Sequence, residues 1–462
     1  MHIDENFLMI AKTLEGLEDV LALELSGIGA ENIEVGNRMV SFYGNRKLLY
    51  EANFRLRTAL RILKPIYSFS AANPDELYHE MRNIQWEDYM SADKTFAIDA
   101  VVYSTCFSHS KYVSYKAKDA IADYFRDTVG KRPSVKLDEP DIIFNVHISE
   151  KNVTISMDST GESLHKRGYR EVQTIAPMNE VLAAGILLMS GWDGQTDFLD
   201  PMCGSGTFLI EAALIARNIA PGVYRKQYAF QKWDDYDEQL FDDIYNDETK
   251  ERNFDHRIIG SDISSIAVEV ASRNVARAGL KSIITVEKKS FSLREKPDNT
   301  TFIVTNPPYG ERLKVKDIES LYSMIGERLK HNYNNCEAWI IAHKKEHFDF
   351  IGLKHKHRVK LINGNLPCEL RGYDLFEGRH KDFKKNEPKF KKMNKDFVVS
   401  DRFSKNNKPE TDKMSWKKSK RQEKQNKKTN LWPTDRFRER ENKQHFNRRL
   451  QVYMADDIKQ ED

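Results

Sequence analysis

The sequence predicts an α/β chain in which a Rossmann-like, doubly wound and mostly parallel sheet follows two α+β modules and precedes a disordered basic tail. Three observations carry that reading. From about residue 179 to 376, short apolar strands alternate with helical patterns, as in a parallel sheet covered on both faces. The first 158 residues instead run β-α-β-β-α and then repeat an α+β pattern, the order of a ferredoxin-type unit. Beyond Arg379 the chain is rich in Lys, Arg and Asn with few branched aliphatics, and it cannot bury enough surface to fold alone. The boundaries that follow are 1–60 for the ferredoxin-like module, 61–158 for the second module, 159–178 for a linker, 179–376 for the parallel-sheet domain and 377–462 for the tail.

In chain order, Phe7 to Ala11 reads as a strand, and Leu17, Val20, Leu21 and Leu25 recur at helical spacing before Ser26-Gly27. Ile33 to Val35 and Met39 to Phe42 form a hairpin about Gly36-Asn37, and Arg46 to Arg55 a helix. In the second module Arg61 to Ser68 is strand-like, Pro74 to Asn83 helical and Thr95 to Val102 an alternating strand. Lys111 to Val129 is an amphipathic helix with Val113, Ala117, Ile121, Tyr124 and Phe125 on one face. Ile142 to Ile148 and Asn152 to Ser156 close the module as a hairpin. The third domain reads as strands at 196–199, 257–261, 282–287, 302–305 and 337–342, with helices at 207–219, 265–278 and 318–329 between them. Tyr224 to Phe254 interrupts it as an insertion rich in Asp and aromatic residues, for which the sequence suggests no function.

Composition narrows the function classes. The 462 residues suggest two to four domains, and 40% apolar content supports sizeable cores. Cys106, Cys203, Cys336 and Cys368 lie far apart without metal-ligand spacing, the pattern of reduced thiols in a cytosolic protein. The N-terminus shows no signal peptide, and the longest apolar run, Val181 to Met189, is about half a membrane span. A net charge of +3 hides an asymmetry: Arg379 to Leu450 holds 25 Lys and Arg against 10 Asp and Glu, leaving 48 basic and 60 acidic residues elsewhere. An acidic body with a basic tail suggests a polyanionic partner, although a solubilising tail would have the same composition. The tail's isolated rings, including Phe383, Phe390, Trp416 and Trp432, suit stacking on single-stranded nucleic acid.

Two motifs carry chemistry. Phe198-Leu199-Asp200 ends a strand, and Pro201-Met202-Cys203-Gly204-Ser205-Gly206-Thr207 turns the chain into a helix. The glycines let backbone approach a ligand, and the helix start supplies N–H groups. A carboxylate at Asp200 suits the cationic amino group of a methionine moiety better than a pyrophosphate, and no Gly-Lys-Ser/Thr follows to make a phosphate loop. Asp262, ending the next strand, can accept ribose hydroxyls, although a capping Asp before the helix at Ser265 accounts for the same residue. The second motif, Asn306-Pro307-Pro308-Tyr309, follows another strand. Its prolines stiffen the backbone, and the Asn306 side-chain oxygen and Pro307 carbonyl can accept both hydrogens of an exocyclic amine. Such an amine has its lone pair delocalised into the ring. Holding both N–H bonds pyramidalises the nitrogen and frees the pair for a methyl donor, while Tyr309 can stack on the base.

These motifs resemble the class I amino-methyltransferases of the Asn/Asp-Pro-Pro-Tyr type. With Lys166-Arg167-Gly168-Tyr169-Arg170, Ala176 to Glu180, Asn306 to Leu313 and Asn363 to Cys368, residues 1 to about 376 are similar to the bacterial 23S rRNA guanine-N2 methyltransferases. The resemblance implies a class I methyltransferase fold, S-adenosyl-L-methionine as cofactor, and a THUMP RNA-binding domain at 61–158. It also implies Asp200, Pro201, Cys203, Gly204, Gly206, Thr207, Asp262, Ser290 and Glu180 as cofactor-binding residues, and Asn306, Pro307, Pro308 and Tyr309 as catalytic ones. Lys289-Ser290-Phe291 departs from the acidic residue such enzymes often place near the cofactor adenine. The expected substrate is 23S rRNA. A tRNA guanine-N2 methyltransferase, a DNA adenine-N6 methylase and a non-catalytic RNA-binding assembly factor are the alternatives. Retention of Asp200, Gly204, Asp262 and Asn306 argues against the last of these.

Overall fold

The computed structural model describes residues 5–170, 177–295, 297–308 and 315–376. Tyr309, the residues around it and the basic tail lie outside the described residues.

The N-terminal half contains β1 (Phe7–Lys12), α1 (Glu18–Gly27), β2 (Glu31–Gly36), β3 (Met39–Gly44), α2 (Arg46–Arg55), β4 (Arg61–Ser70), α3 (Pro74–Arg82), β5 (Phe96–Tyr103), α4 (Ser110–Thr128), β6 (Ile142–Ser149) and β7 (Asn152–Asp158). Two of these helices, α2 and α3, start where side chains accept their orphan N–H groups. Asn45 accepts from Leu48 N–H at 3.1 Å, and Asn73, followed by Pro74, accepts from Asp75 and Glu76. The two modules do not form separate sheets. β4 pairs with β1 along one edge and with β7 along the other, giving one seven-stranded sheet ordered β2-β3-β1-β4-β7-β6-β5.

The second half contains α5 (Glu180–Ser190), β8 (Asp197–Asp200), α6 (Thr207–Ala216), α7 (Glu238–Tyr245), β9 (Ile258–Asp262), α8 (Ser265–Arg277), β10 (Ile284–Lys288), β11 (Thr301–Thr305), α9 (Val315–Asn332), β12 (Cys336–Ala342), α10 (Lys345–Asp349), β13 (His357–Asn363) and β14 (Leu366–Leu375). Its sheet order is β10-β9-β8-β11-β12-β14-β13. The first five strands are parallel, and β14 and β13 add an antiparallel hairpin at the edge. Chain order reverses between β8 and β11, which makes their carboxyl ends the switch point where such sheets bind ligands. α6 is buried along its whole length and is apolar apart from Thr207 and Glu211. It stops at Ala216 rather than at the expected Ile219, because Asn218 takes a left-handed conformation (φ 54°). Among the described residues no helix is long and apolar enough to cross a membrane.

The insertion leaves the second half and packs its rings into the core of the first. Phe230 stacks on Tyr50 with centroids 4.4 Å apart, and Phe241 meets Phe54 edge-on at 6.2 Å. Phe230, Trp233, Phe241 and Ile244 belong to the same buried cluster as β1, β4 and β6 residues. Lys232 Nζ reaches the carbonyls of Glu139 and Pro140 in the second module.

A candidate methyl-donor and amine site at the switch point

β8, β9 and β11 bring three polar residues to one end of the sheet. Asp200 closes β8 opposite Gly260 of β9, Asp262 ends β9, and Asn306 follows the last residue of β11 on the other side. Asp200 is buried; its Oδ1 accepts Met202 N–H at 3.1 Å and the Thr305 hydroxyl at 2.9 Å. Burial pushes its carboxyl up to about 7, the two donated hydrogen bonds pull the other way, and the charge of Asp262 adds to the rise. A carboxylate this poorly solvated favours a cationic partner that would restore its charge.

The loop between β8 and α6 is held by backbone. Cys203 N–H donates to Ser261 O at 3.0 Å, and Gly206 N–H to Cys203 O at 2.8 Å. Gly204 and Gly206 have φ of +52° and +79°, which an L side chain rarely adopts. A Cβ on Gly206 would press on Ala271 at 3.2 Å, whereas one on Gly204 would meet nothing within 4 Å. Gly204 therefore borders open space rather than packed protein. Asp262 Oδ2 accepts Gly204 N–H at 3.1 Å and its Oδ1 accepts Ser264 N–H at 2.9 Å. Each oxygen keeps a further lone pair for a hydroxyl. Ser264 rather than Asp262 caps α8, since its hydroxyl accepts from Ala267 N–H at 3.3 Å.

On the other side of Asp200, Asn306 Oδ1 is buried and has no hydrogen-bond partner among the described residues. Buried acceptors are rarely left unpaired, because the lost hydration is not replaced. Pro307 is buried and Pro308 exposed. An orphaned acceptor at a switch point, a cradle open at Gly204 and a desolvated carboxylate together fit a cationic methionine-and-ribose donor beside an amine.

The remaining predicted residues divide. Pro201 is buried and its carbonyl accepts the Ser261 hydroxyl at 3.4 Å. Cys203 packs beneath the loop against Gly260, and burial pushes its thiol up. The Thr207 hydroxyl accepts from Arg170 Nη2 at 3.0 Å, and Glu180 is buried in an ion pair with Arg170 at 2.8 Å. Ser290 caps a short turn at Phe291–Leu293, its hydroxyl 2.8 Å from that of Ser292. One residue and one short run here escape motif reading. Thr305, whose hydroxyl fixes Asp200, is visible only once β8 and β11 are known to be neighbours. The Arg167-Gly168-Tyr169-Arg170 run suggested kinship but no role. In the structure Arg167 Nε and the Tyr169 hydroxyl converge on the buried Glu211 of α6, at 3.4 and 2.9 Å. Gly168 lets them do so: at φ +111° a Cβ would lie 2.3 Å from Tyr224 O.

Comparison with known proteins agrees with this architecture. Residues 8–63 match the RlmL ferredoxin-like domain, 71–158 the THUMP domain, and 167–372 the RMKL-like methyltransferase domain. A Synechocystis protein provisionally named RNA methyltransferase slr0064 is 36% identical over 79% of this chain and 96% of its own length. The ribosomal RNA large subunit methyltransferase K/L of Syntrophotalea carbinolica is 36% identical over 82% of this chain. The chain spans about half the length of the K/L relatives it matches, 50% to 55%. The crystal structure of SMU.472, a provisionally assigned methyltransferase, superposes with a TM-score of 0.74 at 29% identity, covering 82% of this chain and all of the other. It was solved with S-adenosylhomocysteine, the demethylated form of the donor, and S-adenosylmethionine is accordingly the donor implied for this chain. With three domain matches in order and a relative aligned over nearly its full length, the chain belongs to the THUMP-containing family of RMKL-like methyltransferases.

Proposed function

We propose that this protein methylates the exocyclic N2 amine of a guanine in 23S rRNA. The observation that carries the reading is the buried Asn306 Oδ1, unpartnered among the described residues, at the switch point where Asp200 also lies. S-adenosylmethionine supplies an electrophilic methyl group when bound. Asp200 would hold its ammonium end, Asp262 its ribose, and the backbone of Gly204 to Thr207 its carboxylate. Asn306 Oδ1 and the Pro307 carbonyl accept the two N–H hydrogens of the amine and turn its lone pair toward the glycine loop. The resulting nitrogen is acidic enough to shed its proton without a strong base. The THUMP domain and the K/L relatives favour RNA over DNA and the large ribosomal subunit over tRNA.

Transfer of labelled methyl to protein-free 23S rRNA, tRNA and duplex DNA, followed by nucleoside analysis, tests this. N2-methylguanosine in 23S rRNA is expected. The same nucleoside from tRNA alone moves the substrate and keeps the chemistry, and N6-methyladenine in DNA overturns the RNA assignment.

Two further results are expected. Burial pushes the Asp200 carboxyl up to about 7, and it must be ionised to pair with an ammonium group. Affinity for S-adenosylhomocysteine should therefore rise from pH 5.5 to about 7, by up to roughly tenfold per unit, and level off above it. Binding below pH 7 should release a proton. Calorimetry in buffers of different ionisation enthalpy reads both effects, and a flat profile would remove Asp200 from the ammonium. Second, deleting residues 379–462 takes away the excess of 25 basic over 10 acidic residues that Arg379 to Leu450 carries. RNA affinity should fall and its dependence on salt flatten. An unchanged salt slope makes the tail a bystander.

A further inference from the structure

We infer that Arg170 is a positioning residue for the amino-acid end of the donor, acting through the two hydroxyls of the glycine loop. This rests on the assignment of S-adenosylmethionine to the site. The first N–H groups of a helix lack intrahelical acceptors, and Ser or Thr hydroxyls near a helix start ordinarily take them up. α6 begins among such residues, Ser205 and Thr207, yet its N-cap is Gly206 and no side chain caps it. Both hydroxyls are engaged elsewhere. Arg170 Nη1 donates to Ser205 Oγ at 3.2 Å and its Nη2 to Thr207 Oγ1 at 3.0 Å, and the two oxygens lie 3.3 Å apart. The guanidinium is itself fixed, with Nε on Glu180 Oε1 at 2.8 Å and Nη2 on Met178 O at 3.0 Å.

Arg170 thus draws the loop's hydroxyls away from the α6 N–H groups and leaves those groups to a carboxylate. Without it the hydroxyls are free to rotate and cap α6 themselves, in competition with the ligand. Glu180, offered by the sequence as a cofactor contact, acts one step back by holding Arg170.

The test compares S-adenosylhomocysteine with 5′-methylthioadenosine, which keeps the adenosine and lacks the amino-acid end. Calorimetric titration of the full chain and of Arg170→Gln should show about a tenfold loss for the first ligand and less than about threefold for the second. Equal losses for both, or none for either, overturn the inference. Arg170→Gln leaves Glu180 buried and unpaired, so Ser205→Ala/Thr207→Val is a second variant that keeps that pair intact. With that double variant as its own reference, adding Arg170→Gln should no longer cost S-adenosylhomocysteine affinity. A full tenfold loss in the triple variant would show that Arg170 acts without the hydroxyls, and would sink the proposal. Failure of the unmodified chain to bind either ligand would instead remove the cofactor assignment beneath it.

Discussion

Asn306→Ala should cut methyl transfer by at least 10²- to 10³-fold, about what losing one preorganised polar group costs at a reacting centre, while S-adenosylhomocysteine still binds. In the proposed arrangement the side-chain oxygen accepts from the amine, and among the described residues no hydrogen bond ties it to the glycine loop or to Asp262. Removing it should therefore leave cofactor affinity within about threefold. Asp262→Ala is the control with the opposite signature, because its carboxylate holds Gly204 N–H and is placed for ribose. Comparable loss of cofactor affinity in both variants would contradict the separation of roles. Thermal stability provides an independent readout. A buried acceptor without a partner is a cost to the folded state, so replacing it with a methyl group should leave the melting temperature unchanged or raise it. Most buried polar residues destabilise on truncation. A residue that stabilises on truncation and abolishes turnover is held for function.

Much of this site is readable from residues because its parts sit at strand ends, where local pattern and chemistry coincide. Phe198-Leu199-Asp200 and Val304-Thr305-Asn306 are short apolar runs closed by a polar residue, and each proved to be a buried parallel strand ending at the switch point. The helix starts expected at Arg46 and Pro74 are held in the structure by Asn45 and Asn73, which were not singled out as caps from the sequence. What the sequence conceals is lateral. Nothing local says that Thr305 will lie beside Asp200, that Arg170 will reach across to Ser205, or that β4 will pair on both edges and fuse two modules into one sheet. These depend on strand order and register, which a one-dimensional pattern does not encode. The insertion is the clearest case. Its amphipathic α7, capped by Asp237 with Phe241 and Ile244 on the buried face, was not among the helices expected from the sequence, and the meaning of its rings appears only against the surface they cover.

That surface allows the last prediction. Phe230 is fully buried, stacked on Tyr50 at 4.4 Å and Tyr228 at 5.2 Å, with Phe241 edge-on at 5.2 Å. Phe230→Ala removes one ring from the middle of this stack and should destabilise the protein by about 3–5 kcal/mol. The loss should be uneven. Phe230 lies in the core of the N-terminal sheet, whereas α5, α6 and β8 form a separate cluster around Val181, Leu209 and Phe198. Hydrogen exchange should therefore speed up in α2, β4 and β6 far more than in α6 or β8, and S-adenosylhomocysteine should bind with nearly unchanged affinity. RNA methylation should fall all the same, because the THUMP module, proposed to grip RNA, loses one of its ties to the catalytic half. The nearby Arg55–Asp247 pair joins the same two halves at 2.9 Å. It is a partly exposed ion pair, so Arg55→Ala should cost no more than about 1 kcal/mol. If Arg55→Ala rivals Phe230→Ala, or if exchange rises uniformly through both sheets, the insertion is not an apolar clamp. With the expected contrast, residues 224–254 are one apolar tie between the N-terminal half and the catalytic half, beside the polar tie of Arg57, whose Nη2 donates to Leu214 O and Ile219 O, and shortening them should lower RNA methylation before it harms cofactor binding.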